Sequence, residues 1–235
     1  MRDGEAPDLA ILDPLARALG HRGPDGEGKY LAGSVAMLHT RLAVIDLKTG
    51  DQPIYEPSGA ALIANAEIYN YIELRDGLKN ATFSTNSDCE PPLHLYRRDG
   101  VSFATALRGM YAIAIHDPGE GRLVLARDPF GIKPLYYVET PEFFAFASEP
   151  QALLAVGLVK PEIAPERRSE LMQLQFTCGR DTIFKGIQRV LPGETLIVRG
   201  GRIVERRRQA ALPSGGPRAA SVDDALAILD EALED

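Results

Sequence analysis

The sequence predicts an α+β layered fold with mainly antiparallel strands. Short apolar segments of strand length follow one another through the middle of the chain, separated by turns rich in glycine and proline. Segments with helical periodicity lie between and around them. The 235 residues, 45% of them hydrophobic, are enough to bury a sizeable core. Strands and helices that alternate in this way favour layers of sheet and helix around shared cores.

The helical segments carry apolar residues at intervals of three and four. Residues 9–19 form the first, and Pro7-Asp8 before it suits a helix start. A later helix is expected to begin at Ser87-Asp88, with Pro91 and Pro92 in its first turn, where a missing N–H costs little. The other predicted helices are residues 69–78, 149–155, 166–174 and 221–233.

The strand segments are shorter and are bounded by turn residues. Those from 110 to 148 predict an antiparallel meander, and the last two predict a hairpin joined through Gly200-Gly201. In chain order the predicted strands are residues 35–38, 43–45, 60–64, 110–117, 123–127, 135–138, 143–148, 194–198 and 202–206.

A change of composition predicts a boundary near the end of the chain. Residues 209–220 are rich in Ala, Pro, Gly and Ser, which is typical of a linker. The helix after it carries an apolar stripe of Val222, Leu226, Leu229 and Leu233 but has no obvious core to cover. We therefore expect one domain over residues 1–208, a linker over 209–220, and the first helix of a second, truncated domain over 221–235.

Charge and residue usage exclude several classes of function. The net charge of −7 argues against a nucleic-acid partner. No apolar run is long enough for a membrane span, and no signal peptide is evident. The two cysteines and four histidines match no metal-binding spacing, so no metal site is predicted. A reducing cytoplasm is the expected compartment.

Nine short motifs occur in a fixed order and spacing. Together they resemble the class II glutamine amidotransferase domain of glutamine-hydrolysing asparagine synthetases, over roughly residues 8–208. The motifs are HRGPDG (21–26), HTRLAVID (39–46), NAEIYN (65–70), SDCE (87–90), GMYA (109–112), ARDPFGIKPLYY (126–137), FASE (146–149), TIFKGI (182–187) and LPG (191–193).

The resemblance implies a fold and a reaction. The fold would be the four-layer αββα sandwich of N-terminal-nucleophile hydrolases. The domain would hydrolyse L-glutamine to glutamate and ammonia, and a synthetase domain in cis or in trans would use the ammonia to amidate aspartate. The glutaminase domain itself would need no cofactor, whereas the attached synthetase domain would use ATP and Mg²⁺. A homodimer is a further possibility.

The resemblance also assigns roles within a glutamine pocket. Arg41 would clamp the α-carboxylate, since a planar guanidinium offers two parallel donors. Asp88 would receive the α-ammonium and, with Ser87, is also a candidate helix N-cap; the two roles are compatible. The remaining substrate-binding positions would be Leu42, Val44, Ile45 and Glu67, with Val44 and Ile45 acting through backbone atoms or serving only as core strand residues.

Asn65 and Ala66 match the pair that forms the oxyanion hole. The Asn65 amide and the next backbone N–H would stabilise the tetrahedral oxyanion, and losing one such donor costs about 10²–10³ in rate. The family has glycine where this chain has Ala66. Alanine would be strained there by about 1–2 kcal/mol if φ is positive and harmless if φ is negative.

Other polar or reactive residues are interpreted as structural. Arg127 and Asp128 are expected to form a buried ion pair, and Lys133 to belong to the turn that follows. Cys89 and Cys178 are expected to be packed free thiols.

In the family the nucleophile is a cysteine at position one after removal of Met, with its own α-amine, of pKa about 7.7–8, as base. This sequence opens Met1-Arg2-Asp3-Gly4-Glu5 and lacks the family's Cys-Gly-Ile strand. Three hypotheses follow: a true start upstream with Met-Cys, a non-catalytic glutamine-binding or structural module as in β-lactam-synthetase-like relatives, or a truncated remnant.

Overall fold

The computed structural model describes residues 7–212 and 221–234. The strands are β1 (Gly26–Ala32), β2 (Val35–Arg41), β3 (Ile54–Tyr55), β4 (Ala61–Ile68), β5 (Gly109–Asp117), β6 (Arg122–Arg127), β7 (Tyr136–Glu139), β8 (Phe144–Ala147), β9 (Gln188–Arg189), β10 (Glu194–Arg199) and β11 (Arg202–Arg208). The helices are α1 (Leu12–Leu19), α2 (Tyr71–Gly77), α3 (Pro91–Asp99), α4 (Pro150–Ala155), α5 (Pro165–Leu174) and α6 (Val222–Glu234). Two 3-10 turns cover Leu9–Ile11 and Gly100–Ala106.

The strands form two layers. One is a six-stranded antiparallel sheet in the order β11-β10-β6-β5-β4-β3. The other consists of two separate antiparallel pieces, the hairpin β1-β2 and the three-stranded sheet β8-β7-β9. β6 pairs with β10 rather than with β7, so the predicted meander splits after β6, and β7 and β8 belong to the second layer.

Three apolar cores separate four layers. The first packs α3 residues such as Leu93 against Ile113 and Ile115 of the six-stranded sheet. The second lies between the two strand layers and includes Met37 and Tyr137. The third lies beneath α1 and α4 on the far side of β7 and β8. This arrangement confirms the αββα sandwich that the sequence resemblance implied.

The structure overturns one strand prediction and adds three strands that were not predicted, β1, β3 and β9. Residues 43–45 do not form a strand; they are loop, and the Val44 side chain is largely exposed. β1 was not predicted at all, because Gly26 and Gly28 weaken its strand pattern. Gly28 nevertheless has a structural reason, since a Cβ there would lie 1.8 Å from the carbonyl oxygen of Gln52.

Helix α3 begins later than expected. Pro91 and Pro92 occupy its first turn as predicted, but the N-cap residue is Glu90, and no side chain caps the helix. The expected N-cap role of Ser87 and Asp88 is therefore wrong. Asp88 instead bonds to a neighbouring strand, as described below.

The C-terminal helix α6 is exposed, unlike the helices that cover the three cores. Residues 213–220 of the predicted linker lie outside the described residues, and every side chain described in α6 is exposed. The domain boundaries at 208 and 220 remain predictions. Over residues 7–212 and 221–234, no helix combines the length and apolar character of a membrane span.

Candidate active site

A cavity of about 520 Å³ lies between the two strand layers. Eight residues that the sequence nominated for substrate binding or oxyanion stabilisation line it: Arg41, Leu42, Val44, Ile45, Asn65, Ala66, Glu67 and Asp88. They come from the end of β2, the loop after it, the second half of β4 and the segment before α3. The topology thus brings together residues that lie up to 47 positions apart in the sequence, from 41 to 88.

Arg41 is anchored by the loop that follows it. Its Nη2 donates to the carbonyl oxygens of Asp46 at 2.6 Å and Ile45 at 3.3 Å, and its Nη1 donates to Asp51 Oδ1 at 2.7 Å. The Arg41 side chain is only 11% exposed, whereas that of Asp51 is 84% exposed. A bound carboxylate can therefore take the place of Asp51 while the backbone carbonyls keep the guanidinium oriented.

Asp88 is buried beside the end of β4. Its Oδ2 accepts a hydrogen bond from the backbone N–H of Ile68 at 2.8 Å. The other oxygen, Oδ1, has only long contacts, from Ser87 Oγ at 3.5 Å and Cys89 Sγ at 3.7 Å. Within the described residues, Asp88 forms no ion pair with a lysine, arginine or histidine. A buried carboxylate that lines a cavity with no cationic partner suits a cationic ligand group.

Glu67 adds a second carboxylate to the same wall. Burial and, after it, the neighbouring Asp88 charge raise the pKa of the Glu67 carboxyl, while Lys133 opposes the shift. An ammonium placed between Glu67 and Asp88 would relieve this repulsion. The cavity wall therefore carries the Arg41 guanidinium at the end of β2 and two carboxylates, Glu67 and Asp88, with Lys133 also in the lining.

The oxyanion pair lies on β4. Strand residues alternate in side-chain direction, so Asn65 points to the same face as Ile63, which belongs to the core between the strand layers. Ala66 points the opposite way, into the core beneath α3. Within the described residues, the non-glycine residues with positive φ are Asp46 and Gln175. Ala66 is thus neither strained nor directed at the cavity, which is the harmless case of the two considered.

The Ala66 N–H lies on an open stretch of the β4 edge. Successive N–H groups on one strand edge belong to alternate residues. Gln52 covers the Ala64 N–H and C=O, at 2.6 Å and 3.1 Å, and Asp88 covers the Ile68 N–H. The Ala66 N–H lies on this edge between the two, in the wall of the cavity. This geometry suits a donor to a ligand oxygen.

Three supporting residues of the cavity wall carried no clear signal in the sequence. His39 Nε2 bonds to the Ala64 carbonyl at 3.0 Å, and burial lowers the pKa of His39 to about 4, so the ring is a neutral donor at pH 7. Gln52 fixes the same residue of β4. Lys133 also lines the cavity, although the sequence suggested only a turn role.

Arg127 and Asp128 are structural, but they are not an ion pair as expected. Arg127 donates to the carbonyls of Gly131, Lys133 and Val190 at 2.6–2.7 Å. Asp128 accepts from a set of backbone N–H groups, those of Tyr111, Phe130, Ile132 and Lys133. Each charge is satisfied by backbone dipoles, and together they shape the turn between β6 and β7.

Neither cysteine is a suitable nucleophile. Cys89 lines the cavity, but burial and the adjacent Asp88 carboxylate raise the pKa of its thiol, and its Sγ lies 3.7 Å from Asp88 Oδ1. A nucleophilic cysteine needs the opposite environment. Cys178 is exposed on a distal loop rather than packed as expected, and a hydrogen bond to Glu170 raises its thiol pKa.

Sequence comparison decides the family. A profile of the glutamine amidotransferase domain matches residues 2–208. The chain belongs to the glutamine amidotransferase domain family. This confirms the resemblance to the class II domain of asparagine synthetases on which the sequence interpretation was based.

The relatives of this glutamine amidotransferase domain are longer proteins. It is 39% identical over 192 residues to asparagine synthetase [glutamine-hydrolyzing] 1 of Bacillus subtilis, covering 80% of this chain and 30% of that protein. To asparagine synthetase [glutamine-hydrolyzing] 2 of the same organism it is 42% identical over 146 residues, covering 62% of this chain and 20% of that protein. Amidase chyE of Penicillium rubens is 34% identical over 203 residues, covering 84% and 30%. The chain spans a third or less of the length of these relatives.

Solved structures agree on the fold. The glutamine phosphoribosylpyrophosphate amidotransferase of B. subtilis superposes with a TM-score of 0.62 at 22% identity, covering 87% of this chain and 47% of that one. This likeness confirms the four-layer αββα fold.

Proposed function

We propose that this domain binds L-glutamine in the cavity between the strand layers and is the glutaminase part of an asparagine synthetase-like amidotransferase. The observation that carries the proposal is the distribution of charge in the cavity. Arg41 faces one part of it and the Glu67–Asp88 pair another. That pattern complements the carboxylate and the ammonium of an α-amino acid, and Asn65 and Ala66 line the same cavity.

The proposed reaction needs a thiolate that neither Cys89 nor Cys178 supplies. A cysteine from outside residues 1–235 would attack the carboxamide carbon, release ammonia and leave a thioester, which water would hydrolyse to glutamate and the free thiol. Asn65 and Ala66 would hydrogen-bond the carbonyl oxygen as it becomes charged. The released ammonia would serve amidation of aspartate in a synthetase domain with ATP and Mg²⁺, and the cytoplasm is the proposed compartment.

The environments of the two cysteines favour a second possibility for the 235 residues alone, a module that binds glutamine without hydrolysing it. Both possibilities share the same recognition site. Under both, the isolated chain should bind glutamine by calorimetry and release no glutamate above the buffer background. Glutamate release by a chain extended upstream to a Met-Cys start would favour the first possibility, and binding without release by that longer chain would favour the second.

Recognition is tested by substituting Arg41. Arg41→Lys keeps the charge but removes the planar fork, and we expect it to weaken L-glutamine binding about 10- to 100-fold, as for loss of a charge-assisted hydrogen bond. Arg97→Lys is the matched control, since Arg97 lies on α3, outside the cavity, and pairs with Glu56. Equal glutamine affinities of the two variants, or no binding by the unmodified chain, would contradict the proposal.

A further inference from the structure

Two separate segments supply the two charged ends of the proposed glutamine site. Arg41 ends β2 and is surrounded by the loop of residues 42–51, here called the Arg41 loop. Asp88 belongs to residues 84–88, the Asp88 segment, which precedes α3. L-Glutamine carries its carboxylate and its ammonium on one carbon atom, so a ligand that reaches both residues needs them at a fixed separation. The contact that joins the two segments therefore controls how well the site fits an α-amino acid.

The Arg41 loop is organised around Asp46. The Asp46 carbonyl oxygen accepts from Arg41 Nη2 at 2.6 Å and from the Gly50 N–H at 3.1 Å. The Asp46 carboxylate accepts from the Thr49 N–H at 2.9 Å and from the Thr49 hydroxyl at 2.5 Å. Its φ of 54° is one that aspartate and asparagine adopt more readily than most other residues. Asp46 is thus the residue that supports Arg41 and closes the loop around it.

The Asp88 segment is anchored by the buried Glu90. The Glu90 carboxylate accepts from the backbone N–H and the hydroxyl of both Ser84 and Thr85, at 2.7–2.9 Å. Arg75 Nη2 donates to the carbonyl oxygens of Thr85 and Ser87, at 2.8 Å and 2.9 Å. These bonds hold the segment against α2 and the start of α3 rather than against the Arg41 loop.

Asp46 also links the loop to the segment. Its Oδ2 accepts from the Asn86 N–H at 2.8 Å, and the Thr49 hydroxyl oxygen lies 3.3 Å from the same nitrogen. In the described part of the chain, these are the hydrogen bonds that join the Arg41 loop to the Asp88 segment. Asp46 therefore holds Arg41 through its carbonyl oxygen and the Asp88 segment through its carboxylate.

We propose that Asp46 is a positioning residue that sets the distance between Arg41 and Asp88, and so makes the site selective for ligands with both α-groups of an amino acid. This inference rests on the proposed function. A ligand bound through one group gains from the second only where both contacts match its geometry, since the second contact is then intramolecular. Loss of the link should therefore weaken the binding of ligands with both groups and spare ligands that use Arg41 or Asp88 alone.

The test compares Asp46→Asn with the unmodified full chain. Asparagine keeps the shape of the side chain and tolerates the positive φ, but it places an NH₂ group against one of the donors from Thr49 and Asn86. We expect the Kd for L-glutamine to rise about 10-fold in calorimetry, as for loss of a charge-assisted hydrogen bond. The Kd values of glutaramic acid, which lacks the ammonium, and of 4-aminobutanamide, which lacks the carboxylate, should change by less than about twofold. Asp76→Asn, at an exposed position of α2, is the control and should leave all three values unchanged.

An unchanged Kd for glutamine, or an equal loss of affinity for all three ligands, would overturn the positioning role. Amide hydrogen exchange of the ligand-free chain gives a readout that does not depend on glutamine. Asp46→Asn should speed exchange in residues 84–88 as well as in residues 42–51, and unchanged exchange in residues 84–88 would overturn the link between them. If the unmodified chain binds no glutamine, the proposed function and the inferred selectivity both fail, whereas faster exchange in residues 84–88 would still support the link.

Discussion

Glu67 brings a second carboxylate to the cavity wall beside Asp88. Its carboxylate shares a half-buried wall with Asp88, and burial together with that neighbour raises its pKa. Lys133 offsets this shift only in part, whereas the buried Glu194 is paired directly with Arg180 and Arg206. A ligand that brings its own positive charge would relieve the remaining repulsion.

Glu67→Gln should stabilise the ligand-free protein at neutral pH. A carboxyl whose folded-state pKa is raised stabilises the fold below its unfolded value, about 4.3, and this stability is lost as the pH rises through the folded value. The variant removes that loss, so we expect its Tm to exceed that of the unmodified chain at pH 7, with the difference closing below about pH 4. Thermal unfolding from pH 3.5 to 8 measures it.

The exposed Glu142, which lies in the β7–β8 turn, provides the control. Glu142→Gln should shift the Tm equally little at both ends of the pH range. The same Glu67→Gln variant should bind glutamine more weakly, because one of two carboxylates facing the ammonium is neutral. A lower Tm at pH 7 together with unchanged glutamine affinity would contradict this account.

The loop after β2 shows why local patterns mislead near a site. Residues 43–45 have the apolar character of a strand, yet the Arg41 guanidinium binds the carbonyls of Ile45 and Asp46 and forces the backbone to wrap around it. Asp25 accepts from the Ala43 N–H at 2.9 Å, and Asp46 adopts a φ of 54°. Hydrogen bonds from side chains to the backbone therefore override strand propensity in this loop. The spacing of apolar residues in the sequence does not reveal such bonds.

Gly50 closes this loop, and its replacement should disturb Arg41 specifically. A Cβ at position 50 would lie 2.6 Å from Arg41 Nη2 and 2.8 Å from the Asp46 carbonyl oxygen. We expect Gly50→Ala to destabilise the fold by about 1–3 kcal/mol, as overpacking does, and to weaken glutamine binding. Chemical denaturation and calorimetry give the two values.

Gly77→Ala is the matched substitution, because no heavy atom lies within 4 Å of a Cβ at that position. It should leave glutamine affinity unchanged and the stability equal or slightly higher. If Gly50→Ala binds glutamine as well as Gly77→Ala does, the loop does not position Arg41.

In the segment before α3, the sequence nominated Asp88 for the site correctly but did not reveal its hydrogen-bond partner. Ser87-Asp88 resembled a helix N-cap, and the same residues matched the family's substrate-binding motif. The structure keeps Asp88 at the cavity but ties it to the Ile68 N–H, a bond across 20 positions. Long-range partners of this kind cannot be predicted from spacing, whereas the order of the motifs was sufficient to nominate Asp88.

At the scale of the molecule, the sequence predicted the layers but not how the second layer is divided. Apolar alternation identified most strands, since it depends on each strand's own two faces. The separation of β2 from β8 depends on which edges meet after folding, and residues 35–41 and 144–147 carry no local mark of it.

The predicted domain boundary near residue 208 can be tested by truncation. β11 pairs along β10, and its Arg206 reaches the buried Glu194, whereas every side chain described in α6 is exposed. A chain that ends at Leu212 should therefore unfold at the same Tm as the full chain, within about 1 °C, in differential scanning calorimetry. A chain that ends at Gly201 is the control and should lose several degrees, because it exposes β10 as an edge and leaves Glu194 with one arginine fewer. An equal loss in both truncations would place the residues after 212 inside the folded domain and move the predicted boundary.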